Sequence, residues 1–126
     1  THGDSRFDFY LEGENKKALL EVKGVTLEKN GIVAFPDAPT SRGLKHIKGL
    51  INSKDEYLTY LLFVIQMKDV KFFTPNYLTD ENFSNGLLDA SNNGVKILAY
   101  DCHVRRNSLE ISEKVPVILE EKWNLD

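Results

Sequence analysis

Residues 18–27 read ALLEVKGVTL, an apolar stretch interrupted by two charged side chains, Glu21 and Lys23. This length and this content of Leu and Val are typical of a β-strand. Residues two apart in a strand point to the same face, so we expect Glu21 and Lys23 to share one face, roughly 7 Å apart. An idle charge inside an apolar strand is energetically costly, which favours a functional role for this pair.

A second strand is predicted immediately upstream, because residues 5–12 alternate apolar and polar side chains. The turn-like residues 13–17 separate the two strands, which we expect to pair as an antiparallel hairpin. A register that pairs position 8 with position 21 places Asp8 directly opposite Glu21. Opposed side chains in such a ladder have Cβ atoms about 5 Å apart. The sequence therefore predicts two neighbouring carboxylates.

The rest of the chain alternates strand and helix signals. Residues 32–35 follow an Asn30-Gly31 pair typical of a tight hairpin turn, and together with the first two strands they predict an antiparallel meander. The later elements are predicted as a helix over about 42–52, a central strand over 59–66, a short edge strand over 69–74, a helix from a cap at 79–81 to a stop at 92–94, a strand over 95–104 and a segment, 108–112, that pairs back onto it. This order predicts an α/β (α+β) domain, a mixed β-sheet flanked by helices.

The first predicted helix has two distinct faces. Apolar side chains at spacings of three and seven form the expected buried stripe, Leu44, Ile47 and Ile51. Three basic side chains at spacings of three and four are expected on a different face, beside the proline-bounded loop at 36–40: Arg42, Lys45 and His46. Thr40 or Ser41 is a suitable N-cap.

Composition narrows the classes of function. The chain has 126 residues with 41% hydrophobic and 28% charged side chains, which fits one folded domain. No apolar run is long enough to cross a membrane. The net charge of −3 argues against attraction of nucleic acid by the whole surface, so any polyanion site must be a local basic cluster or depend on metal ions.

A single cysteine, Cys102, cannot form an internal disulfide, and this predicts a reducing cytoplasm as the compartment. With no second cysteine nearby, we expect Cys102 to be buried and His103 to point outward.

Two opposed carboxylates repel each other unless a cation lies between them. Mg²⁺ or Mn²⁺ is the expected ion, because hard divalent ions prefer carboxylate and water oxygens. Lys23 could position a metal-bound water or neutralise a phosphate, so Asp8, Glu21 and Lys23 suit metal-assisted phosphodiester hydrolysis. The open alternative is that these charges form a solvated outer face of the strand.

Several longer motifs resemble the sugar fermentation stimulation protein A family. They are residues 5–9 (SRFDF), 20–27 (LEVKGVTL), 35–46 (FPDAPTSRGLKH), 63–66 (FVIQ), 69–76 (DVKFFTPN) and 94–100 (GVKILAY). The resemblance extends from residue 5 to about residue 117.

The resemblance implies a PD-(D/E)xK restriction-endonuclease-like fold. In that pattern Asp8 is the lone aspartate and residues 21–23 are the ExK element, so Asp8, Glu21 and Lys23 are implied as catalytic and the two acids as metal ligands. Thr40, Arg42, Lys45, His46 and Gln66 are implied to border the site and to contact DNA.

The resemblance also implies a DNA-binding protein that acts without marked sequence preference and is linked to the regulation of sugar (maltose) metabolism in bacteria. Members of the family carry an upstream oligonucleotide-binding barrel and the first helix and strand of the nuclease core. We therefore expect this single nuclease-like domain, residues 1–126, to be the C-terminal part of a longer two-domain protein. A homodimer is also expected, because loss of a core helix would leave an apolar sheet face that a second copy could cover.

Two functions stay open from the sequence. The first is a DNA-binding module in which the acidic site is structural or vestigial. The second is a metal-dependent deoxyribonuclease that uses Asp8, Glu21 and Lys23. A protein-interaction domain without a nucleic-acid role is a weaker third interpretation.

Overall fold

The computed structural model describes residues 9–12 and 17–120, with only the backbone described for residues 9–11. Eight strands and two helices are found in this part of the chain. In order they are β1 (Phe9–Glu12), β2 (Lys17–Val25), β3 (Leu27–Lys29), β4 (Ile32–Phe35), α1 (Ser41–Asn52), β5 (Leu58–Ile65), β6 (Phe72–Pro75), α2 (Glu81–Asn92), β7 (Lys96–Arg105) and β8 (Ser108–Lys114). The mixed α/β fold class predicted from the sequence is confirmed.

The larger sheet has five strands in the order β1-β2-β5-β7-β8. Its three inner strands are parallel, whereas β1 and β8 pair antiparallel at the two edges. The apolar strand β5 lies at the centre, as its sequence predicts. Parallel inner strands need crossover connections, and α1 and α2 lie in those connections.

The predicted three-stranded meander is wrong in one respect. The stretch 18–27 does not form one strand but breaks at Thr26 into β2 and β3, and β3 turns away into a separate three-stranded sheet of order β3-β4-β6. The hairpin between β3 and β4 forms as expected, since Asn30 and Gly31 both have positive φ angles. Apolar–polar alternation and turn residues do not show that a chain passes from one sheet to another. They therefore place β4 in the wrong sheet.

The register between β1 and β2 agrees with the predicted hairpin. Phe9 pairs with Leu20 and Glu12 pairs with Lys17, so that paired positions sum to 29 along the described ladder. This is the register from which Asp8 was predicted to oppose Glu21. Asp8 itself lies outside the described residues.

Both helices begin at side-chain caps. Thr40 is the N-cap of α1 and its side chain accepts a hydrogen bond from the backbone N–H of Gly43. Asp80 is the N-cap of α2, with its side chain accepting from the backbone N–H of Phe83. These caps satisfy N–H groups that have no partner inside a helix. Both helix starts therefore lie within one residue of the sequence-based expectation.

The buried face of α1 differs from the predicted stripe. Gly43, His46, Ile47 and Leu50 are buried, whereas Leu44 and Ile51 are only partly buried. The helix is therefore rotated relative to the prediction, which followed the apolar side chains and omitted glycine and histidine. Rotation brings His46 from the expected basic face to the side that packs on the sheet.

The hydrophobic core lies on one face of the larger sheet. Alternate strand residues such as Leu19, Leu61, Phe63 and Ala99 pack there with buried side chains of the helices and the smaller sheet. On the other face, neighbouring apolar side chains stay half-buried: Leu20, Val22, Leu62, Val64 and Leu98. None of the described helices covers this second face, which we call the open face.

Residues after β8 follow the smaller sheet, although the sequence predicted no structure for them. Val117 forms a parallel bridge with Phe73, and the Tyr77 hydroxyl donates to the carbonyl of Leu119. The described helices include none that is long and apolar enough to span a membrane.

Candidate functional site

The centre of the candidate site is the carboxylate of Glu21, which is 2% exposed on the inner strand β2. Its Oε1 atom lies 3.4 Å from Nζ of Lys23 and 3.2 Å from Nδ1 of His46. The Lys23 Nζ and the His46 Nδ1 are themselves 2.9 Å apart. The three side chains therefore form a compact triangle on the core side of the sheet.

Burial of a carboxylate is unfavourable unless cations or hydrogen-bond donors compensate it. Here Lys23 supplies the compensating cation from two residues along the same strand, and the His46 ring of α1 covers the pair from above. The other carboxylate oxygen of Glu21, Oε2, is also buried and accepts no hydrogen bond from the described part of the chain. The arrangement excludes the solvated outer face that the sequence left open as an alternative for Glu21.

The loop before α1 is fixed by a buried asparagine. Asn76 is 2% exposed, and its side-chain amide donates to the carbonyl of Pro36 while its backbone N–H donates to the carbonyl of Phe35. The motifs at 35–46 and 69–76 therefore meet in space. Together they hold the start of α1, and hence His46, over the sheet.

The predicted DNA-contacting residues in α1 and at its N-cap differ in their exposure to solvent. Arg42 and Lys45 are exposed in the first turns of the helix. His46 is 8% exposed and contacts Glu21 and Lys23 instead. Thr40 is partly buried and its hydroxyl oxygen is engaged in the N-cap.

Gln66 is exposed just after β5, but its contact lies away from the triangle. A Cβ atom added to Gly24 would lie 2.7 Å from the Gln66 side-chain nitrogen. Gly24 alternates with Lys23 along β2, so this contact is on the open face. The described contacts therefore do not bring Gln66 to Glu21 and Lys23.

Of the two metal ligands predicted from the sequence, the structure describes one. Glu21 is present in the triangle, whereas Asp8 lies outside the described residues. Within residues 9–12 and 17–120 there is no group of three or more acidic, histidine or cysteine side chains placed to hold a metal ion. The carboxylate of Glu21 is nevertheless the ligand type that hard divalent ions prefer.

Comparison with known proteins identifies the family. The family described as "Sugar fermentation stimulation protein RE domain" matches residues 1–108. The chain belongs to this family. The resemblance seen in the sequence motifs is therefore confirmed.

Individual members of the sugar fermentation stimulation protein family agree with this result. The chain is 55% identical over 117 residues to a sugar fermentation stimulation protein homolog of Clostridium beijerinckii, covering 92% of the chain and 52% of that protein. It is 50% identical over 122 residues to the homolog of Desulfitobacterium hafniense, covering 96% and 54% respectively. The chain thus spans about half the length of the curated relatives it matches.

A solved structure of the family shares the fold. Pyrococcus furiosus SfsA, determined in complex with Ca²⁺, superposes with a TM-score of 0.86 at 27% sequence identity. The match covers 94% of this chain and 52% of that protein.

A second buried polar cluster in this family member was missed by sequence reasoning. Asp101, 4% exposed, accepts hydrogen bonds from Lys68 Nζ at 3.3 Å and from the backbone N–H of Glu113 at 2.7 Å. The cluster holds β8 against β7 at the register shift between Tyr100 and Cys102. Burial, and then the neighbouring Asp101 charge, raises the pKa of the Cys102 thiol. As predicted, Cys102 is buried and His103 is exposed.

The burial of His46 beside Glu21 and Lys23 was also not predicted from the sequence. Gly43, His46, Ile47 and Leu50 follow the spacing of a buried helix stripe, so a histidine within that stripe was the available signal. Grouping by charge places His46 with Arg42 and Lys45, and this grouping hides its position in the buried stripe.

Proposed function

We propose that this domain binds DNA without marked sequence preference and that Glu21 and Lys23 belong to a metal-dependent phosphodiester-cleaving site. The observation that carries the proposal is the buried contact between the Glu21 carboxylate and the Lys23 ammonium at 3.4 Å on an inner strand. A charged pair in this position is unfavourable for folding alone unless it is well compensated. In metal-assisted hydrolysis both groups have a role, the carboxylate as a metal ligand and the ammonium as a donor to a phosphate oxygen.

The residues that would hold a divalent ion are Glu21 and, as a second carboxylate, Asp8. The ligand chemistry fits Mg²⁺ or Mn²⁺, and the structure of Pyrococcus furiosus SfsA in complex with Ca²⁺ supports a site for hard ions in this family. When bound, such an ion lowers the pKa of water and stabilises charge on a phosphoryl oxygen. Lys23 would donate a hydrogen bond to a phosphate oxygen and hold it beside the carboxylate.

The surface for DNA is proposed at the start of α1. Arg42 and Lys45 are exposed there, and their cationic side chains favour a phosphate. Residues three and four apart are neighbours on a helix surface, so Arg42 adjoins both Lys45 and His46 and, through His46, Glu21. A backbone held by Arg42 and Lys45 would lie next to the candidate cleavage site. Thr40 borders the same surface.

The test is cleavage of supercoiled plasmid with Mn²⁺ or Mg²⁺ by the wild-type protein, Glu21→Gln and Lys23→Met. Glu56→Gln serves as the matched control because Glu56 is an exposed glutamate outside the site. We expect metal-dependent cleavage by the wild type and the control, with a loss of roughly 100-fold or more in the two site variants.

Gel-shift measurements on the same proteins separate the two functions. DNA binding without cleavage by the wild type would favour the module with a vestigial acidic site. Absence of both, even at low salt, would overturn the proposal and favour the protein-interaction domain.

We further propose that the protein acts in the cytoplasm on genes of sugar metabolism, those of maltose use included. The name of the family, sugar fermentation stimulation protein, supports a link to sugar use. Transcript levels of such genes in a deletion strain, compared with a strain carrying Arg42→Ala/Lys45→Ala, test it. Unchanged transcripts in the deletion strain would contradict the regulatory role.

A further inference from the structure

The environment of His46 differs from that of the basic residues beside it in the sequence. Arg42, Lys45 and Lys48 on the same helix are exposed, whereas His46 is 8% exposed. Its ring lies between α1 and β2, with Nδ1 within 3.2 Å of Glu21 Oε1 and 2.9 Å of Lys23 Nζ. This position leaves little of the ring available to a phosphate backbone.

The ammonium group of Lys23 sets the direction of its hydrogen bond with His46. A lysine ammonium carries only donors, so in the 2.9 Å contact Lys23 donates and Nδ1 of His46 accepts. The same ammonium lies 3.4 Å from Oε1 of Glu21. Lys23 is therefore held between two acceptors that come from different elements, one from its own strand and one from α1.

Long side chains such as lysine lose considerable conformational freedom when they are fixed in one position. A second acceptor from a rigid helix confines the Lys23 ammonium to one side of the carboxylate. Because reacting groups must be held to within a fraction of an ångström, small displacements lower rates strongly.

We propose that His46 is a positioning residue that holds Lys23 beside Glu21 by accepting a hydrogen bond at Nδ1, rather than a residue that contacts DNA. This inference rests on the proposed function, since positioning matters only if Lys23 and Glu21 act on a phosphodiester. It also links the two parts of the site, because the helix that carries Arg42 and Lys45 is the helix that holds Lys23 in place.

The first test compares His46→Ala, His46→Asn and Lys48→Ala in the cleavage assay. An asparagine side chain can place an acceptor near the position of Nδ1, whereas alanine cannot. We expect His46→Ala to lower kcat at least tenfold with KM and DNA affinity within twofold of wild type. His46→Asn should recover most of this loss, and the exposed Lys48→Ala should match the wild type.

Two results in this assay would overturn the inference. A raised KM and weakened DNA binding with an unchanged kcat would assign His46 to DNA contact. Equal losses in the alanine and asparagine variants, with equal drops in melting temperature, would assign it to packing alone.

The second test does not depend on cleavage, so it separates failure of this inference from failure of the proposed function. Crystal structures of the wild type, His46→Ala and His46→Asn would report the position of the Lys23 ammonium. We expect Lys23 to move away from Glu21 or to adopt several rotamers in His46→Ala, and to return in His46→Asn. An unmoved Lys23 in His46→Ala would contradict the positioning role even if the wild type cleaves DNA.

Discussion

Asp80 links the starts of the two helices by accepting a hydrogen bond from the backbone N–H of Thr40, with 2.8 Å between Thr40 N and Asp80 Oδ2. The other oxygen of the same carboxylate caps α2 through Phe83, at 3.0 Å. Thr40 in turn caps α1. One side chain therefore sets the spacing between α2 and the helix that carries His46, so the site depends on a residue outside it.

Two substitutions of Asp80 separate the contributions of its two hydrogen bonds to the stability of the fold. In Asp80→Asn the side-chain oxygen can still cap α2, but the amide nitrogen cannot accept from Thr40. We expect a loss of about 1 kcal/mol in the free energy of unfolding for Asp80→Asn and of about 2–3 kcal/mol for Asp80→Ala, measured by urea denaturation. Equal losses in the two variants would show that the cap of α2 contributes nothing, and wild-type stability of Asp80→Asn would show the same of the Thr40 hydrogen bond.

Removal of the basic pair on α1 should change the salt dependence of DNA binding. Each phosphate contact contributes a slope of about −0.9 to the plot of log K against log salt. We expect Arg42→Ala/Lys45→Ala to weaken binding uniformly across sequences and to make this slope shallower by about 2. Lys54→Ala, at an exposed lysine beyond the end of the helix, is the control. An unchanged slope would place the DNA contact elsewhere.

Gly24 provides a test of the role predicted for Gln66. A methyl group at Gly24 would displace the Gln66 amide, which is the flexible end of a side chain, so the fold should tolerate the change. Because this contact lies on the open face and the DNA surface is proposed at the start of α1, we expect Gly24→Ala and Gln66→Ala to keep wild-type DNA affinity, with melting temperatures close to wild type. Equal losses of affinity in both variants, measured by fluorescence anisotropy, would return Gln66 to the DNA surface.

The buried thiol predicts a pH effect on stability. Because burial and Asp101 raise the pKa of Cys102 in the folded state, the folded protein holds the thiol proton more tightly than the unfolded chain does. Stability from this group is therefore present below the unfolded thiol pKa of about 8.5 and is lost as pH rises above it. We expect urea denaturation from pH 7 to pH 10 to show a steeper alkaline loss for wild type than for Cys102→Ala. Parallel curves would contradict the expectation.

Self-association is the remaining expectation from the sequence. The open face continues onto the β7–β8 hairpin, where Val104 and Ile111 are 62% and 53% exposed. We expect the chain to form dimers in sedimentation equilibrium and Ile111→Glu to shift them to monomer. Glu110→Lys, on the other face of the same strand, is the matched control. Monomeric wild-type protein at all concentrations would contradict the homodimer.

Local patterns in the sequence were sufficient for much of the fold. The apolar run at 59–66 predicts the central strand because only a strand covered by neighbours tolerates so few polar groups. The proline-bounded loop followed by Thr40 predicts the start of α1, and the Asn30-Gly31 pair predicts the hairpin that forms there. Each of these signals acts over a few residues, where backbone sterics and capping decide the outcome.

Contacts between distant residues were not predictable in this way. Nothing near position 26 in the sequence shows that the chain leaves one sheet for another, and nothing near position 80 shows that Asp80 binds Thr40.

By itself, the sequence determined that Glu21 and Lys23 share one face of an apolar strand, since side-chain alternation in a strand is a local property of the backbone. Only the tertiary structure decided that His46 joins them, because the rotation of α1 about its axis is set by how Gly43, Ile47 and Leu50 pack against the rest of the core. Packing is a property of the whole fold, and so the third member of the triangle was decided there.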